Sequence, residues 1–292
     1  MQLSTPVFDT GNFPLATQAP VSGRRIRDAL RTPAGAFGSF LTTLMLGASL
    51  MAPLLAPRSP MAISGPSLSA PSLAYPMGTD AIGRDLLSGV LFGGRTSLFI
   101  GSVVVSLALV IGLLVGMLAG YCGGLIDNVL MRLTELFQVL PRFFLAVVAV
   151  AVLGPGLDRI VLVLALTSWP VLARVVRAET LSLKHQDFVR AAQACGATPT
   201  RIVLRELLPN VLPSALVMAT LMIGQVLLIE AGLGFVGLAD PTIVSWGSLA
   251  GGAQEFLRVA WWLPLFPGLA ITGTALGLNL LGDAFSSHLG GK

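Results

Sequence analysis

The chain has 292 residues, of which 54% are hydrophobic and only 11% are charged, and its formal net charge is +4. A mean hydropathy of +0.83 excludes an ordinary soluble domain and indicates an integral membrane protein. Its apolar runs are too long for a membrane β-barrel, whose strands would have about ten residues of alternating polarity. We therefore predict an all-α, polytopic membrane fold.

Six apolar segments are predicted to cross the bilayer. The clearest is 99–121, an uncharged run that would measure about 34 Å as a helix against a hydrocarbon core of about 30 Å. Pro141 and Arg142 interrupt the third segment and Pro170 the fourth, which leaves their ends open. In chain order the predicted spans are residues 36–56, 99–121, 139–153, 160–176, 211–236 and 261–282.

These spans divide the chain into five predicted regions. A polar tail, 1–35, precedes the first span, 36–56. A Pro- and Ser-rich loop, 57–98, follows, and its last part is predicted to form a short amphipathic helix at the membrane interface. A core domain with the other five spans covers 99–284, and a short tail, 285–292, ends the chain.

Basic residues predict the orientation. Four arginines lie before the first span, and a second basic group lies between the fourth and fifth: Arg174, Arg177, Lys184, Arg190, Arg201 and Arg205. Six spans place both groups on the same side, and the positive-inside tendency makes that side cytoplasmic. Both termini are therefore predicted to face the cytoplasm, and the loop 57–98 the outside. Because the arginines are spread between spans, nucleic-acid binding is not indicated.

A polar segment, 187–199, lies between the fourth and fifth spans and predicts a short helix, a turn and a second helix. The residues that recur on one narrow face of the first helix are Phe188, Ala191, Ala192 and Cys195. Gly196 can take a positive φ and end this helix, and Thr198 with Pro199 is typical of the start of the next. The segment is therefore predicted to be a ridge on which a partner sits.

Enzymatic chemistry is not indicated. The chain contains neither the phosphate-binding G-x-x-x-x-G-K-[ST] pattern nor a His-Glu-x-x-His or nucleophile-elbow motif. Cys122 and Cys195 are far apart in the sequence, and His185 and His288 are isolated, so neither a disulfide nor a metal site is supported. We expect no catalytic residue and no cofactor in this chain.

Three charged residues lie within or near apolar spans: Arg142, Glu230 and Asp283. They could form a proton or ion relay, or they could lie near helix ends and reach water or a neighbouring chain. The second interpretation is favoured because charges near span ends can extend to the interface.

Gly112, Gly116 and Gly120 share one face of the second span. Their spacing lets another helix approach closely, and it could also line a path for a solute. Packing is the favoured interpretation.

Several motifs, taken together, resemble a known family. Residues 188–192, with Gly196, Ile202 and Leu208-Pro209-Asn210, resemble the EAA loop of binding-protein-dependent ABC importer permeases. Motifs that resemble the dipeptide, oligopeptide and nickel branch are Gly78-Thr79-Asp80, Gly83-Arg84-Asp85-Leu86-Leu87-Ser88, Gly94-Arg95-Thr96-Ser97-Leu98, Gly234-Phe235-Val236-Gly237-Leu238, Ser245-Trp246-Gly247, Leu265-Phe266-Pro267-Gly268 and Asn279-Leu280-Leu281-Gly282-Asp283. They cover about residues 75–283 in order, and the chain is most similar to the second permease subunit of that branch.

The resemblance implies a permease subunit with the type I ABC importer fold, which forms half of a translocation pathway for peptides. Implied partners are a homologous second permease, two cytoplasmic ATPase subunits or one fused ATPase, an extracytoplasmic solute-binding protein and the lipid bilayer. ATP and Mg would bind the ATPase subunits, and the complex would lie in a bacterial inner membrane. Dipeptides, oligopeptides, glutathione and nickel chelates all remain open as substrates.

The resemblance also implies two functional regions. The loop 177–210 would hold a coupling helix that fits a cleft of the ATPase, with contact residues Phe188, Arg190, Ala191, Ala192, Cys195, Gly196 and Pro209. A motif before the second span would shape that helix or form an interface, and consists of Gly78, Thr79, Asp80, Gly83, Arg84 and Asp85.

Two other functions stay open on the residues alone. A proton-coupled secondary transporter would use Glu230 or Asp283, and its transport would not depend on an ATPase. A membrane scaffold would show no solute flux at all.

Overall fold

A computed structural model describes residues 23–139 and 141–289, and helices dominate both ranges. In chain order they are α1 (Gly23–Arg31), α2 (Pro33–Leu50), α3 (Ala52–Leu55), α4 (Leu86–Cys122), α5 (Gly124–Val139), α6 (Arg142–Leu153), α7 (Leu157–Lys184), α8 (Asp187–Ala194), α9 (Pro199–Arg201), α10 (Leu208–Phe235), α11 (Trp246–Gly252) and α12 (Trp262–Leu289). A π-helical turn, Ile202–Leu207, joins α9 to α10, and a 3₁₀ turn, Gln254–Phe256, follows α11. The all-α prediction is confirmed for these residues.

Within residues 23–139 and 141–289, five helical stretches are long and apolar enough to cross a membrane. They are α2, α4, α7, the stretch Pro199–Phe235 and most of α12. A sixth span results if α5 and α6, which meet at an angle of 77°, act as one broken span. The polytopic prediction is confirmed, and the predicted count of six requires this bent pair.

Both predicted tails contain helix where the structure describes them. Helix α1 covers Gly23–Arg31 and packs on α12, with Ala29 fully buried. Helix α12 continues to Leu289, beyond the predicted end of the sixth span at Gly282. Residues 1–22 and 290–292 of the predicted tails lie outside the described ranges.

The predicted interfacial helix and the second span form one helix. Helix α4 runs without interruption over its 37 residues from Leu86 to Cys122, so the predicted boundary between 98 and 99 falls inside it. Its start is fixed by Asp85, whose carboxylate accepts hydrogen bonds from the Ser88 backbone N–H (2.9 Å) and hydroxyl (2.6 Å). A capped start followed by a stretch without proline leaves nothing to separate the two predicted pieces.

Two prolines that interrupt the predicted spans have different effects. Pro141 separates α5 from α6, so the predicted third span, 139–153, contains α6 but omits α5. Pro170, in contrast, lies buried inside a continuous α7. Helix α7 packs against α4, α6 and α10, and these neighbours hold it in place where one backbone hydrogen bond is lost.

The glycine stripe of α4 packs directly on α7. A Cβ atom at Gly116 would lie 2.5 Å from the Ala173 carbonyl oxygen, and one at Gly120 would lie 2.8 Å from Cβ of Thr180. Gly112 faces Leu172 in the same way. These distances confirm that the stripe is a packing face, because only glycine allows the two backbones to approach so closely.

Two buried apolar clusters mark the opposite ends of the bundle. The first lies at the start of α4 and contains Leu86, Leu227, Trp246 and Trp262 among others. The second lies at the other end of α4, beneath α8, and contains Met117, Val176, Leu183, Val189, Ile202, Leu207, Val211 and Ala215. We call these ends the α11 end and the α8 end.

Candidate functional site

Helix α8 lies across one end of the bundle and is anchored there by a single large side chain. Val189 is fully buried in the cluster that also contains Val176 of α7, Ile202 of the π-helical turn and Val211 of α10. Burying an aliphatic side chain of this size contributes about 1.5 kcal/mol or more. Helix α8 is therefore tied to the ends of α4, α7 and α10 rather than suspended on a free loop.

The chain enters α8 through a fixed corner. Lys184 at the end of α7 donates a hydrogen bond of 2.5 Å to the Tyr121 carbonyl oxygen, and its ammonium lies 5.6 Å from the centroid of the Tyr121 ring. Both contacts join the end of α7 to the end of α4. His185 then ends α7, and Gln186 leads in an extended conformation into Asp187.

The chain leaves α8 through a Schellman turn. Gly196 has φ of +78°, its N–H bonds to the Gln193 carbonyl, and the Ala197 N–H bonds to the Ala192 carbonyl. The positive φ predicted for Gly196 is confirmed, since this motif needs a left-handed residue at that position. The next helix starts as predicted, because Thr198 accepts a hydrogen bond from the Arg201 N–H (3.4 Å) and Pro199 follows it.

The predicted ridge is exposed except at one residue. Phe188 is 40% exposed, and Ala191 and Cys195 also face outward. Ala192, however, is half-buried and packs on the cluster that holds Val189. Residues three apart share a helix face, so the burial of Val189 turns Ala192 inward, and the spacing rule alone did not single out Val189.

The remaining predicted contact residues lie beside this ridge. Arg190 is exposed on α8, and Pro209 is exposed in the first turn of α10. Residues 195–207, which include α9 and the π-helical turn, join α8 to the long helix α10. The arrangement can transmit a displacement of α8 to the bundle.

The motif before α4 forms a tight fold of its own. Thr79 is buried, donates to the Pro66 carbonyl (2.6 Å) and accepts from the Ser69 N–H (2.8 Å). Its own carbonyl accepts a hydrogen bond of 3.2 Å from the indole of Trp262, at the start of α12. Gly78, with φ of +80°, makes the adjacent turn possible.

The second half of the motif is fixed by two aspartates. Asp80 accepts hydrogen bonds from the backbone N–H groups of Ile82 (3.0 Å) and Arg84 (2.8 Å), and Gly83 between them has φ of +84°. Asp85 caps α4 and lies 3.9 Å from Arg58. Its cationic neighbour is thus Arg58, from the beginning of the loop that precedes α4, and not the adjacent Arg84.

The two predicted regions lie at opposite ends of the molecule. The motif before α4 is at the start of that helix, and α8 packs at its other end. Thirty-seven residues span about 55 Å at roughly 1.5 Å per residue. The structure therefore does not combine them into one site.

The charged residues of the spans lie in different surroundings. Asp283 is exposed, and Arg142 is half-buried at the start of α6. Glu230 is only 4% exposed and is hydrogen-bonded to two serines, so the interpretation that it reaches water is wrong. The sequence predicted a charge near a helix end. It could not show that Glu230 is buried, because the two serines that bind it come from other parts of the chain.

One ion pair was not predicted. Arg177 of α7 donates to both carboxylate oxygens of Asp127 in α5, at 2.5 and 2.6 Å. The pair fixes α5 against the α8 end of α7. From the sequence, Arg177 was assigned only to a basic group, because its partner Asp127 lies 50 positions earlier.

The structure combines several membrane-crossing helices with an exposed helix that packs on one end of the bundle. This combination defines the class of importer permeases. Residues 112–292 match the model of the family "Binding-protein-dependent transport system inner membrane component". The chain belongs to this family, and it is a multi-pass membrane protein.

Two relatives and one solved structure illustrate the similarity. The chain is 36% identical over 258 residues to the dipeptide transport system permease protein DppC of Alkalihalophilus pseudofirmus, covering 87% of this chain and 84% of the relative. It is 39% identical over 230 residues to the glutathione transport system permease protein GsiD of Escherichia coli O6:K15:H31, covering 78% and 74%. An inward-facing structure of the MetNI methionine ABC transporter matches with a TM-score of 0.56 and 25% identity, covering 68% of this chain and 94% of that one.

Proposed function

We propose that this chain is a permease subunit of an ATP-driven peptide importer and that α8 couples it to a separate ATPase. The observation that carries the proposal is the construction of α8, whose outer face is exposed while Val189 fixes its inner face to the bundle. The relatives named for dipeptide and glutathione transport support small peptides as the substrate class.

The proposed complex contains the partners that such a subunit requires. They are a second, homologous permease, two ATPase subunits or one fused ATPase, and a solute-binding protein. Membership of a binding-protein-dependent family supports the last of these. ATP and Mg would bind only the ATPase, so this chain would be non-catalytic and free of cofactors.

The proposed orientation places the α8 end in the cytoplasm of a bacterial cell, with both termini, and the α11 end outside the inner membrane. The basic residues Lys184, Arg190, Arg201 and Arg205 at the α8 end support it, because positive charge favours the cytoplasmic side. The motif before α4 would then face the binding protein.

Coupling follows from how α8 is held. When ATP closes the ATPase pair, its clefts would carry the two coupling helices with them. Because Val189 and the ends of α7 and α10 share one cluster, a displacement of α8 would move these helices as rigid bodies. Alternating access would result from this motion, and the energy would come from the partner.

Uptake of a radiolabelled dipeptide into proteoliposomes that hold the full complex tests the proposal. Uptake should require ATP and should persist when a protonophore collapses the pH gradient. Uptake driven by a pH gradient without ATP would favour a secondary transporter instead. Absence of flux with a loaded binding protein and active ATPase would favour a scaffold.

A further inference from the structure

The buried carboxylate of Glu230 joins three separate elements at the α11 end. It lies in α10, and one oxygen accepts a hydrogen bond of 2.6 Å from the Ser245 hydroxyl, at the start of α11. The other oxygen accepts one of 3.2 Å from the Ser97 hydroxyl in α4. The Gly247 backbone N–H also donates to the carboxylate.

The two serines that contact the carboxylate also accept hydrogen bonds from backbone N–H groups. The Ser97 oxygen accepts from the Trp246 N–H (3.0 Å), and the Ser245 oxygen accepts from the Ser248 N–H (3.0 Å). Each hydroxyl therefore has its hydrogen free to point at Glu230. Hydrogen bonds to both carboxylate oxygens therefore connect Glu230 with α4 and with α11.

Glu230 forms no ion pair with a cation among the residues that the structure describes. The ion pairs there are Arg58–Asp85 and Arg177–Asp127. A buried polar group without a counter-ion depends on its hydrogen bonds. Loss of the two serines or of the carboxylate should therefore weaken the attachment of α11.

The backbone of α11 is built to lie directly on α4 and α10. The Trp246 indole donates a hydrogen bond of 2.8 Å to the Val90 carbonyl of α4. A Cβ atom at Gly247 would lie 2.6 Å from a Glu230 carboxylate oxygen, and one at Gly93 would lie 3.3 Å from the Trp246 nitrogen. The network thus lies beside a contact in which the backbones of these helices approach too closely for larger side chains at Gly93 and Gly247.

We infer that Glu230 is a positioning residue that locks α11 to α4 and α10, so that the three helices move as one body during transport. The inference rests on the proposed function, because α10, which starts at Leu208, is connected to α8 through α9 and the π-helical turn. Glu230 lies 22 residues further, about 33 Å along the helix at roughly 1.5 Å per residue. It would carry a motion that enters at α8 to α11 at the other end.

A removable bridge between α4 and α11 tests this inference. Gly89→Cys and Leu249→Cys are introduced in a Cys122→Ser, Cys195→Ser chain, since a Cβ atom at Gly89 would lie 3.4 Å from the Leu249 side chain. A short bis-methanethiosulfonate then joins the pair, and a reductant reverses the bridge. Neither position belongs to the Glu230 network.

Two variants remove hydrogen bonds that hold α11 in place, Glu230→Gln and Ser245→Ala. The matched control is Glu255→Gln, because Glu255 is an exposed glutamate next to α11.

ATP-driven dipeptide uptake by the full complex is the readout, with co-purified ATPase as the measure of assembly. The bridged chain with Glu230 intact should retain at least half of the uptake of its reduced form. Glu230→Gln and Ser245→Ala should lower uptake at least tenfold while the ATPase still co-purifies, and the bridge should restore most of it. Glu255→Gln should transport normally.

Several results would overturn the inference. A bridge that blocks uptake in the Glu230 chain would show that α11 moves against α4. Normal uptake by Glu230→Gln, or a defect that the bridge does not rescue, would assign the carboxylate no role or a different one. If Glu230→Gln does not assemble, uptake by Ser245→Ala and by the bridged chain with Glu230 intact still tests the inference. Loss of ATP dependence in the control would instead contradict the proposed function.

Discussion

Val189 and Ala191 give α8 two different faces. Val189 is fully buried against the bundle, and Ala191, two positions later, is exposed on the other side of the helix. The exposed face is small at Ala191 and aromatic at Phe188, which suits a helix seated in a cleft. Substitutions at exposed positions should therefore affect a partner without disturbing the fold.

Ala191→Asp should uncouple the ATPase. It places a charge in the proposed contact, where an unpaired buried charge costs about 2 kcal/mol or more, so ATP hydrolysis stimulated by the loaded binding protein should fall at least tenfold. Gln193→Asp, on an exposed flank of the same helix, is the control and should fall less than twofold. Equal losses in both variants would contradict the proposed ridge.

Gly196→Val should impair coupling through the backbone alone. Gly196 has φ of +78°, and an added Cβ atom would meet nothing within 4 Å, so the whole effect comes from the left-handed conformation, about 1–2 kcal/mol. Gly196→Asn is the matched variant, because asparagine tolerates this conformation. Stimulated ATP hydrolysis should be lower for Gly196→Val than for Gly196→Asn. The reverse order would show that the left-handed turn at Gly196 does not affect coupling.

Local rules predicted the single residues of this turn well. Gly196, Thr198 and Pro199 follow capping preferences that depend on a few neighbours. The inward rotation of Ala192 and the hydrogen bonds of Glu230 could not be predicted in this way. Both depend on partners that come from other helices, such as Ser97, 133 positions from Glu230.

Helix α4 and its glycine stripe organise the bundle at the scale of elements. Gly116→Val should destabilise the assembled subunit, because its Cβ atom would overlap the Ala173 carbonyl and Val176; overpacking of this kind costs about 1–3 kcal/mol. Gly47→Val, in α2 with nothing within 4 Å of its Cβ position, is the control for helix propensity. The thermal midpoint of the purified complex should fall more for Gly116→Val, and an equal fall would argue against tight packing.

Elements with long uniform patterns were predictable, and those shaped by packing were not. The apolar run of 99–121 located the second span, although the helix starts at Leu86. The opposite effects of Pro141 and Pro170 are not visible in sequence, since each depends on which helices surround the break. Helix α11 was not predicted, because its Trp246 and glycines are explained only by contact with α4 and α10.

At the scale of the whole molecule, the length of α4 separates the two regions that are predicted to be functional. Thr198→Cys and Leu73→Cys, each in a chain without Cys122 and Cys195, should report opposite sides of the membrane. Leu73 is fully exposed and Thr198 is exposed. An impermeant maleimide added to intact cells should label Leu73→Cys and not Thr198→Cys until the cells are opened. The inverse pattern would reverse the proposed orientation.

The central claim, that α8 is the ATPase contact, has a native reporter in Cys195. This thiol is free and exposed at the end of the α8 ridge. In a Cys122→Ser chain it should react with a maleimide rapidly in the permease pair alone and at least tenfold more slowly in the complex with the ATPase, and prior labelling should prevent the ATPase from binding. Equal labelling rates with and without the ATPase, with binding unaffected by the label, would contradict the claim.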